Sequence, residues 1–436
     1  MLILIKNGYV IDPAANREGY YDILIEEDLV KKIDRSIPEE ILEERKERSE
    51  RVLIDAAGKY IMPGFIDLHV HLREPGFEYK ETIRIGSLAA AAGGFTTVCP
   101  MPNTKPAIDS AERIRFLKDK AARESVVNIL PVGCITLGQE GRILADIASM
   151  ADAGAAALSE DGKSVMDSAL YAKAMEEAEK AGIPIFAHCE DKSLAGNGVM
   201  NAGKRAEELG LEGISNAVED IITARDILLA KASGARLHIC HCSTADSARF
   251  IEMAKEQGLP VTGEVCPHHF TLSDEDIPAD DANYKMNPPL RSPEDVRAIK
   301  EALHKDIIDV IATDHAPHGE EEKSGSMVHA PFGIVGLETA FSLTMTELVE
   351  PGIITLRQMV EKMCVNPAKI LGIPRGCIGE GWIADLVIAD PKKKYRIDKN
   401  TFCSKGKNTP FDQKEVIGKI EYTLVAGKIV YKAKAE

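Results

Sequence analysis

The stretch FIDLHVH, residues 65–71, is an apolar run that ends in two histidines separated by a single residue. Its branched and aromatic side chains predict a buried strand. Side chains two positions apart on a strand point to the same side, so the imidazoles of His69 and His71 can reach one metal ion. A His-x-His pair is a weak signal alone, because such pairs also occur on surfaces and in cores. Whether this pair binds a metal depends on whether other potential ligands in the chain lie close to it.

Seven further apolar runs follow, with stretches rich in Ala, Glu and Lys between most of them. These strand candidates are FTTVCPM (95–101), VVNILPVG (126–133), AAALS (155–159), IPIFAHC (183–189), RLHICHC (236–242), LPVTGEVC (259–266) and DVIATDHA (309–316). Among the intervening stretches, residues 167–182 predict a helix that stops at a glycine. Eight strands alternating with helices over about 300 residues predict an α/β fold of the (β/α)8 TIM-barrel type.

Acidic and histidine residues mark the C-terminal ends of most of these candidate strands. Asp161 ends the fourth, His188 the fifth, His241 the sixth and Asp314 the eighth. A doubly wound sheet is the competing architecture, but polar residues at so many strand ends favour a barrel, which gathers its site there. With the first-strand histidines they predict a metal centre on the barrel axis. Each of them alone also fits a hydrogen-bonded polar group in a core.

Three other histidines lie near these positions. His238 and His241 compete for the ligand role on the sixth strand, and His241 is favoured because it lies nearer the strand end. His268 and His269 follow the seventh strand. We assign them no ligand role and expect at most that they support the ligands from behind.

Both ends of the chain differ from the middle. Strand patterns broken by Asn-Gly, charged pairs or glycine turns occupy residues 1–55, 376–390 and 416–432. A charged stretch at 39–50 predicts an exposed hairpin or a short helix. We therefore predict a small β-sandwich domain built from both termini. The predicted division is residues 1–55 and 373–436 for this domain and residues 56–372 for the metal-dependent barrel.

Composition narrows the class of protein. The chain has 436 residues, of which 44% are hydrophobic and 28% charged, as in soluble globular proteins. A formal net charge of −16 argues against a nucleic-acid partner. No apolar run approaches the ~18 residues of a membrane span, so no membrane association is expected. Nine cysteines are too few and too scattered for a disulfide framework, which predicts reduced thiols in a cytoplasmic protein.

Several segments resemble the dihydroorotases of the amidohydrolase superfamily. The most specific are FIDLHVHLREPGFEYKET (65–82) and AAAGGFTTVCPMPNTKPAID (90–109). The same family is matched by MNPPLR (286–291), TDHAPH (313–318), PFGIVGLET (331–339), VNPAKILGI (365–373) and GWIADLVIAD (381–390). The similarity therefore extends over nearly the whole chain.

The resemblance implies a set of roles at the matching positions. The implied metal ligands are His69, His71, Asp161, His188, His241 and Asp314, with Asp161 bridging two zinc ions per subunit. The implied substrate positions are His71, Arg73, Asn103, Asn287, His318 and the backbone around Phe332 and Gly333. The implied substrates are N-carbamoyl-L-aspartate and L-dihydroorotate.

The bridging group separates related enzymes. Hydantoinases, allantoinases and some dihydroorotases use a carboxylated lysine near the end of strand four. The segment GAAALSEDG (154–162) has no lysine there, and Lys163, after the turn, is expected to face solvent. The aspartate resembles that of class I dihydroorotases. Two rivals stay open: a hydantoinase- or allantoinase-type cyclic ureide hydrolase, and a non-catalytic dihydroorotase-like scaffold.

The implied reaction is the reversible cyclisation of N-carbamoyl-L-aspartate in de novo pyrimidine (UMP) biosynthesis. Two divalent ions would activate a hydroxide and polarise the carbonyl, and Asp314 would act as general acid and base. Arg73 offers a planar fork for the substrate carboxylate, and Asn103 and His318 offer hydrogen bonds. A surface salt bridge for Arg73 and a turn cap for Asn103 are the alternatives.

Two further points stay open at this stage. The segment GEEEKSGSMVHAPFG (319–333) either closes over the barrel mouth or is a passive connection. A homodimer and an association with aspartate transcarbamoylase are both compatible with the resemblance.

Overall fold

Strands at the two ends of the chain frame the fold. The computed structural model describes residues 1–44 and 50–434. The first strands are β1 Leu2–Asp12, β2 Arg17–Glu26, β3 Leu29–Asp34, β4 Arg51–Asp55 and β5 Tyr60–Pro63. β1 pairs antiparallel with β2 and parallel with β4 and β5. In the charged stretch 39–50, Ile41–Glu44 forms the short helix α1, and residues 45–49 lie outside the described residues.

All eight strand candidates of the middle region form strands. They are β6 Phe65–Val70, β7 Phe95–Pro100, β8 Asn128–Ile129 with β9 Val132–Cys134, β10 Ala157–Ser159, β11 Ile185–Ala187, β14 Leu237–Ile239, β15 Val261–Val265 and β16 Val310–Ile311. The third candidate is split between β8 and β9 at Pro131, a residue without a backbone N–H. A separate short pair consists of β12 Met200–Asn201 and β13 Gly213–Ile214.

Neighbouring barrel strands are parallel throughout. One sheet runs β16-β15-β14-β11-β10-β9 and another runs β6-β7-β8. The ring closes between the first and last strands, where Val70 forms a parallel bridge with His315 and the His71 N–H donates to the His315 carbonyl at 2.8 Å. The predicted (β/α)8 barrel is therefore confirmed.

Helices connect these strands. The α-helices are α2 Ile83–Ala92, α3 Ala111–Glu124, α4 Ile147–Asp152, α5 Ser168–Ala181, α6 Lys192–Ala195, α7 Lys204–Leu209, α8 Ala217–Ser233, α9 Ala245–Glu256, α10 Pro267–Thr271, α11 Pro293–His304, α12 Ala340–Thr344, α13 Leu356–Val360 and α14 Asn366–Leu371. Met345–Val349 and Glu361–Val365 are π-helical. Short 3₁₀ turns lie at Leu137–Gln139, Asp274–Asp276, Ala282–Tyr284, Glu321–Lys323 and Lys399–Thr401.

The helix predicted at 167–182 shows how local sequence sets these boundaries. The Asp167 carboxylate accepts hydrogen bonds from the first backbone N–H groups of α5, and Gly182 ends the helix in a left-handed conformation with φ of 69°. Both residues are of the types that cap helices at those ends.

The C-terminal strands complete the terminal sheet. They are β17 Leu386–Arg396, β18 Glu415–Val425 and β19 Lys428–Lys432, and the sheet runs β19-β18-β17-β5-β1-β2-β3 with β4 beside β1. Both termini thus build one β domain, and β5 belongs to it although it follows the predicted boundary at residue 55. Residues 376–385, predicted as strand broken by glycine turns, contain a turn at 380–381 and a single antiparallel bridge from Ile383 to Leu29, and the other residues are irregular. The domain boundaries themselves stay a prediction.

Packing follows the alternation of strand side chains. In β11, Phe186 belongs to the apolar cluster that includes Leu68 and Val310, whereas Ile185 and Ala187 belong to the larger cluster shared with the helices. Alternate residues of one strand therefore fill the barrel interior and the strand–helix layer. All nine cysteines are free thiols, as predicted. Within residues 1–44 and 50–434, none of the helices combines the length and the apolar character needed to cross a bilayer.

Candidate metal centre

Asp161 stands at the centre of the barrel mouth, surrounded by the four predicted histidine ligands. Its Oδ1 lies 3.3 Å from His69 Nε2, 3.5 Å from His188 Nδ1 and 3.8 Å from His241 Nε2. Its Oδ2 lies 3.6 Å from His71 Nε2. The two oxygens of the Asp161 carboxylate thus face different histidines. A carboxylate that bridges two cations requires such a position.

Asp314 completes the set from the end of the eighth strand. Its Oδ1 lies 3.0 Å from His71 Nε2 and 3.5 Å from His69 Nε2. On the other side of Asp161, His188 Nδ1 and His241 Nε2 are 2.9 Å apart. The six predicted ligands therefore meet at one point, although they come from five different strand ends.

Hydrogen bonds behind the histidines decide which ring nitrogen faces the centre. His69 Nδ1 lies 2.9 Å from Glu264 Oε1, and His188 Nε2 lies 3.0 Å from Glu190 Oε2. When the outer nitrogen donates to a carboxylate, the inner nitrogen keeps a lone pair for a metal. The same arrangement holds for His71, whose Nδ1 lies 3.0 Å from the Asn103 Oδ1.

The residues fit a cation at this point. His69 Nε2 is buried and has no hydrogen-bond partner among the described residues. Burying a polar atom without a partner costs about 1–3 kcal/mol, which a bound cation would offset. Imidazole nitrogen and carboxylate oxygen are ligands that suit zinc and similar divalent ions. The arrangement is therefore a metal-binding site.

Charges within the cluster are strongly coupled. Burial opposes ionisation of Asp161 and Asp314, yet the nearby His69 outweighs it and holds the pKa of both carboxyls below their usual range. Burial also disfavours a charged His69, but Asp161 and Asp314 raise its pKa well above the ordinary value. Both carboxylates are thus ionised at neutral pH, as metal ligation requires.

Glu264 is a site residue that the sequence reasoning missed. It is fully buried in β15, and its two oxygens lie 2.9 Å from His69 Nδ1 and 3.0 Å from His238 Nε2. Burial alone would raise the pKa of Glu264, but hydrogen bonds from His238 and His69 lower it to about 2. His238 thus supports the metal centre indirectly, through Glu264, while His241 faces the centre itself. The only sequence feature that could have pointed to Glu264 is its position as a charged residue inside an apolar strand.

A cavity of about 150 Å³ opens beside the centre. Its lining includes the substrate positions implied by the resemblance, namely His71, Arg73, Asn103, Asn287, Phe332 and Gly333. Asp161, His188, His241 and Asp314 form its floor. A small polar ligand in this cavity would therefore contact the metal-binding residues directly.

Arg73 is the cationic residue in the cavity lining, and it contacts His318, a predicted substrate position that is not itself among the lining residues. Arg73 Nε donates to the Pro317 carbonyl at 3.1 Å, and its Nη2 lies 3.1 Å from His318 Nε2. Lys80 Nζ lies 3.1 Å from His318 Nδ1. Burial, Arg73 and Lys80 hold the pKa of His318 well below its usual value, so it is neutral and can donate from Nε2 to the Phe332 carbonyl at 2.8 Å. This local cluster offsets the negative charge of the whole chain.

Asn103 and Asn287 hold the ligands as well as lining the cavity. The Asn103 amide nitrogen donates to Asp161 Oδ2 at 2.9 Å while its oxygen faces His71. Burial opposes ionisation of Glu190, the partner of His188, but His188 and, to a smaller extent, Lys192 and Asn287 lower its pKa. The structure therefore gives Asn103 contacts that neither the turn cap nor a purely substrate-facing role includes.

Residues 319–333 are tied down beside the cavity. Lys323 Nζ donates to the carbonyls of Lys285, Pro331 and Gly333 at 3.1, 3.0 and 2.9 Å. Asn408, from the C-terminal segment, donates to the Gly333 carbonyl at 3.0 Å. Neither Lys323 nor Asn408 was a candidate from the sequence, because a lysine in a polar loop and a lone distant asparagine give no local signal. Lys163 is exposed, as predicted.

Comparisons with known proteins identify the family. A family model for dihydro-orotase-like proteins matches residues 58–247. The dihydroorotase of Caldanaerobacter subterraneus subsp. tengcongensis is 48% identical over 431 residues, which cover 99% of this chain and 97% of the relative. The dihydroorotase of Geobacter metallireducens is 47% identical over 432 residues, which cover 99% and 100%.

Solved structures show the same architecture. The L-hydantoinase (dihydropyrimidinase) from Arthrobacter aurescens matches with a TM-score of 0.85 at 26% identity, covering 99% of this chain and 96% of that one. The D-hydantoinase from a Bacillus sp. AR9 matches with a TM-score of 0.84 at 25% identity, covering 99% and 95%. Sequence identity is thus far higher to the dihydroorotases than to these structural neighbours. The chain belongs to the dihydroorotase family, whose members are hydrolases acting on cyclic amides.

Proposed function

We propose that this protein catalyses the reversible cyclisation of N-carbamoyl-L-aspartate to L-dihydroorotate in pyrimidine biosynthesis. One observation carries the proposal: a carboxylate that faces four histidines lies at the bottom of a cavity whose wall holds a half-buried arginine, Arg73. The metal-binding residues at the bottom of the cavity could activate the reacting amide, and the arginine in its wall could bind the carboxylate of the same small substrate.

The distances between the side chains support an assignment of the metal ligands. His69, His71 and Asp314 would hold one cation and His188 and His241 a second, with Asp161 between them. We propose zinc for both positions, two per chain, because the donors are imidazole and carboxylate. Two such ions supply an activated water and a polarised carbonyl.

Asp314 is the proposed proton carrier. It is ionised, buried and next to His71 at the edge of the cavity. From this position its carboxylate can take a proton from the attacking water and give it to the leaving ring nitrogen. In the synthetic direction the same oxygen removes a proton from the carbamoyl nitrogen.

Arg73 is the proposed grip on the substrate carboxylate. Its guanidinium keeps donors free beyond those used on Pro317, and a guanidinium can bind a carboxylate with two parallel hydrogen bonds. Neutral His318, Asn103, Asn287 and the backbone at Phe332 and Gly333 would fix the ring or the open chain beside it. Lys323 supports this wall by holding the carbonyls of Pro331 and Gly333.

The decisive experiment measures turnover of L-dihydroorotate and N-carbamoyl-L-aspartate, with hydantoin and allantoin as competing substrates. We expect turnover of the first pair only, its loss after chelation, and its recovery with zinc. Preferential turnover of hydantoin or allantoin would establish the cyclic ureide hydrolase instead. A protein without bound metal or turnover would establish the scaffold.

Three further proposals concern location and assembly: the location rests on the scattered cysteines, and the two assemblies rest on the family resemblance. We propose a cytoplasmic location, a homodimer, and association with aspartate transcarbamoylase. Size-exclusion chromatography with light scattering, run with and without that enzyme, tests both assemblies. A monomer whose elution does not change would contradict both of them.

A further inference from the structure

A second group of metal-binding side chains lies just after the seventh barrel strand. Cys266 directly follows β15, and His268 and His269 lie in the first turn of α10. We call these three residues the Cys266 cluster. Their relative exposures are 0%, 2% and 2%, and one ligand atom from each lies within 4.8 Å of the other two. The cluster shares no residue with the six ligands around Asp161.

Two imidazole nitrogens in the cluster are buried and unpartnered. His269 Nε2 lies 3.0 Å from the Pro288 carbonyl and must donate to it, which leaves a lone pair on Nδ1. That Nδ1, and Nε2 of His268, have no hydrogen-bond partner within the part of the chain that the structure describes. A ring that donates one N–H to a backbone carbonyl and keeps the other nitrogen free is the usual form of a metal-binding histidine.

The two rings are also neutral, as ligation requires. Burial lowers the pKa of His269 to about 3 and that of His268 well below its ordinary value. Each buried, unsatisfied nitrogen costs about 1–3 kcal/mol unless a partner occupies the space. A thiol and two imidazoles that share one buried point are the donor set of a thiophilic d¹⁰ ion.

We propose that the Cys266 cluster is a third metal site, separate from the centre at Asp161, for a thiophilic ion such as Zn²⁺ or Cd²⁺. Binding forms bonds from the ion to Cys266 Sγ and to one nitrogen of each histidine. The thiol proton is released to solvent, and a water molecule can fill the fourth position. No oxidant or reductant is needed, because the oxidation state of the metal does not change on binding.

Cadmium distinguishes this site from the centre at Asp161. A cadmium–thiolate bond gives an ultraviolet charge-transfer band, whereas the six ligands of the proposed centre contain no sulfur. Protein already loaded with zinc is titrated with Cd²⁺, and bound metals are counted by mass spectrometry. All proteins carry Cys403→Ser, because Cys403 is the exposed thiol. We expect the band to appear and to saturate with one thiolate per chain.

The substitution Cys266→Ser should abolish the band and remove one cadmium ion per chain. Two matched controls test other buried thiols. Cys364→Ser removes a thiol that contacts the Pro63 carbonyl, and Cys240→Ser removes the one beside His69. Both should retain the band. If Cys266→Ser does not fold, His268→Asn should weaken cadmium binding at least tenfold with the thiol still present.

Three outcomes would overturn the proposal. The band may be absent from the parent protein, it may persist in Cys266→Ser, or both proteins may bind the same number of metal ions. Any of these results would mean that an ordered water satisfies the two histidines.

Discussion

Nε2 of His71 lies 3.0 Å from Oδ1 of Asp314, although 243 residues separate them in the chain. The contact exists because the first and last barrel strands are neighbours, joined by the bridge between Val70 and His315. Barrel closure therefore places the proposed proton carrier against a metal ligand. A substitution of Asp314 therefore affects both of its proposed roles, as proton carrier and as metal ligand.

The first prediction concerns Asp314→Asn. Asparagine keeps the shape but cannot carry the proton, so kcat should fall by about 10²–10⁴-fold or more. Steady-state assays in both directions, with metal content measured on the same samples, check this. Asp309→Asn at the opposite end of β16, where the carboxylate contacts Lys255, is the matched control and should keep its turnover. Near-normal kcat in a metal-loaded Asp314→Asn protein would remove the residue from the mechanism.

The second prediction concerns the grip of Arg73. Replacement by alanine should raise KM for both substrates by about 10–100-fold, since a hydrogen bond to a charged group contributes about 1.5–3 kcal/mol. Lysine should recover only part of this, because it lacks the planar fork. Arg297→Ala, which breaks an exposed pair with Glu294, is the control. An unchanged KM would show that the carboxylate binds elsewhere.

The third prediction concerns Lys323 and residues 319–333. Lys323→Met removes three hydrogen bonds to backbone carbonyls beside the cavity. We expect faster proteolysis within 319–333 and a KM raised by about tenfold, because several hydrogen bonds to backbone beside the cavity are lost. Lys305→Met, at an exposed ion pair with Glu301, should change neither. If proteolysis and KM stay at the parent values, the loop does not depend on this lysine.

The fourth prediction concerns metal affinity and pH. Burial lowers the pKa of His188, but Asp161 and Glu190 outweigh it and raise that pKa to about 9. A metal must displace this proton and the one on His69, whose pKa is also raised. Apparent zinc affinity of chelator-treated protein should therefore rise by at least about tenfold per pH unit below pH 9 and less steeply above it. Isothermal titration in buffers of different ionisation enthalpy measures the proton released.

Glu190→Gln provides the control for this linkage. Without the second carboxylate the pKa of His188 should fall, so the affinity plateau should begin at lower pH. Affinity that does not change between about pH 6 and 8 would contradict the linkage.

Local sequence was sufficient to predict the barrel strands and the candidate metal ligands at their ends. Each ligand stands at or just beyond the end of an apolar run, and the ends of parallel strands meet at one face of a barrel. Glu264 was missed because a glutamate inside a strand has no periodic signal that separates a buried one from an exposed one. Residues 376–385 were predicted as strand broken by glycine turns. A turn is present at 380–381, but only Ile383 forms a bridge, because a local apolar pattern does not show which residues will find a neighbouring strand.

The sequence by itself predicted the barrel, the family and six candidate metal ligands, because strand periodicity, residue chemistry and motif spacing are local properties. Only the tertiary structure decided which nitrogen of each histidine faces Asp161, that Asn103 joins His71 to Asp161, and that Lys323 and Asn408 hold the cavity wall. Those facts depend on contacts between residues far apart in the chain. Most buried polar atoms are hydrogen-bonded, and the packing of distant strands and loops decides which partner each of them meets.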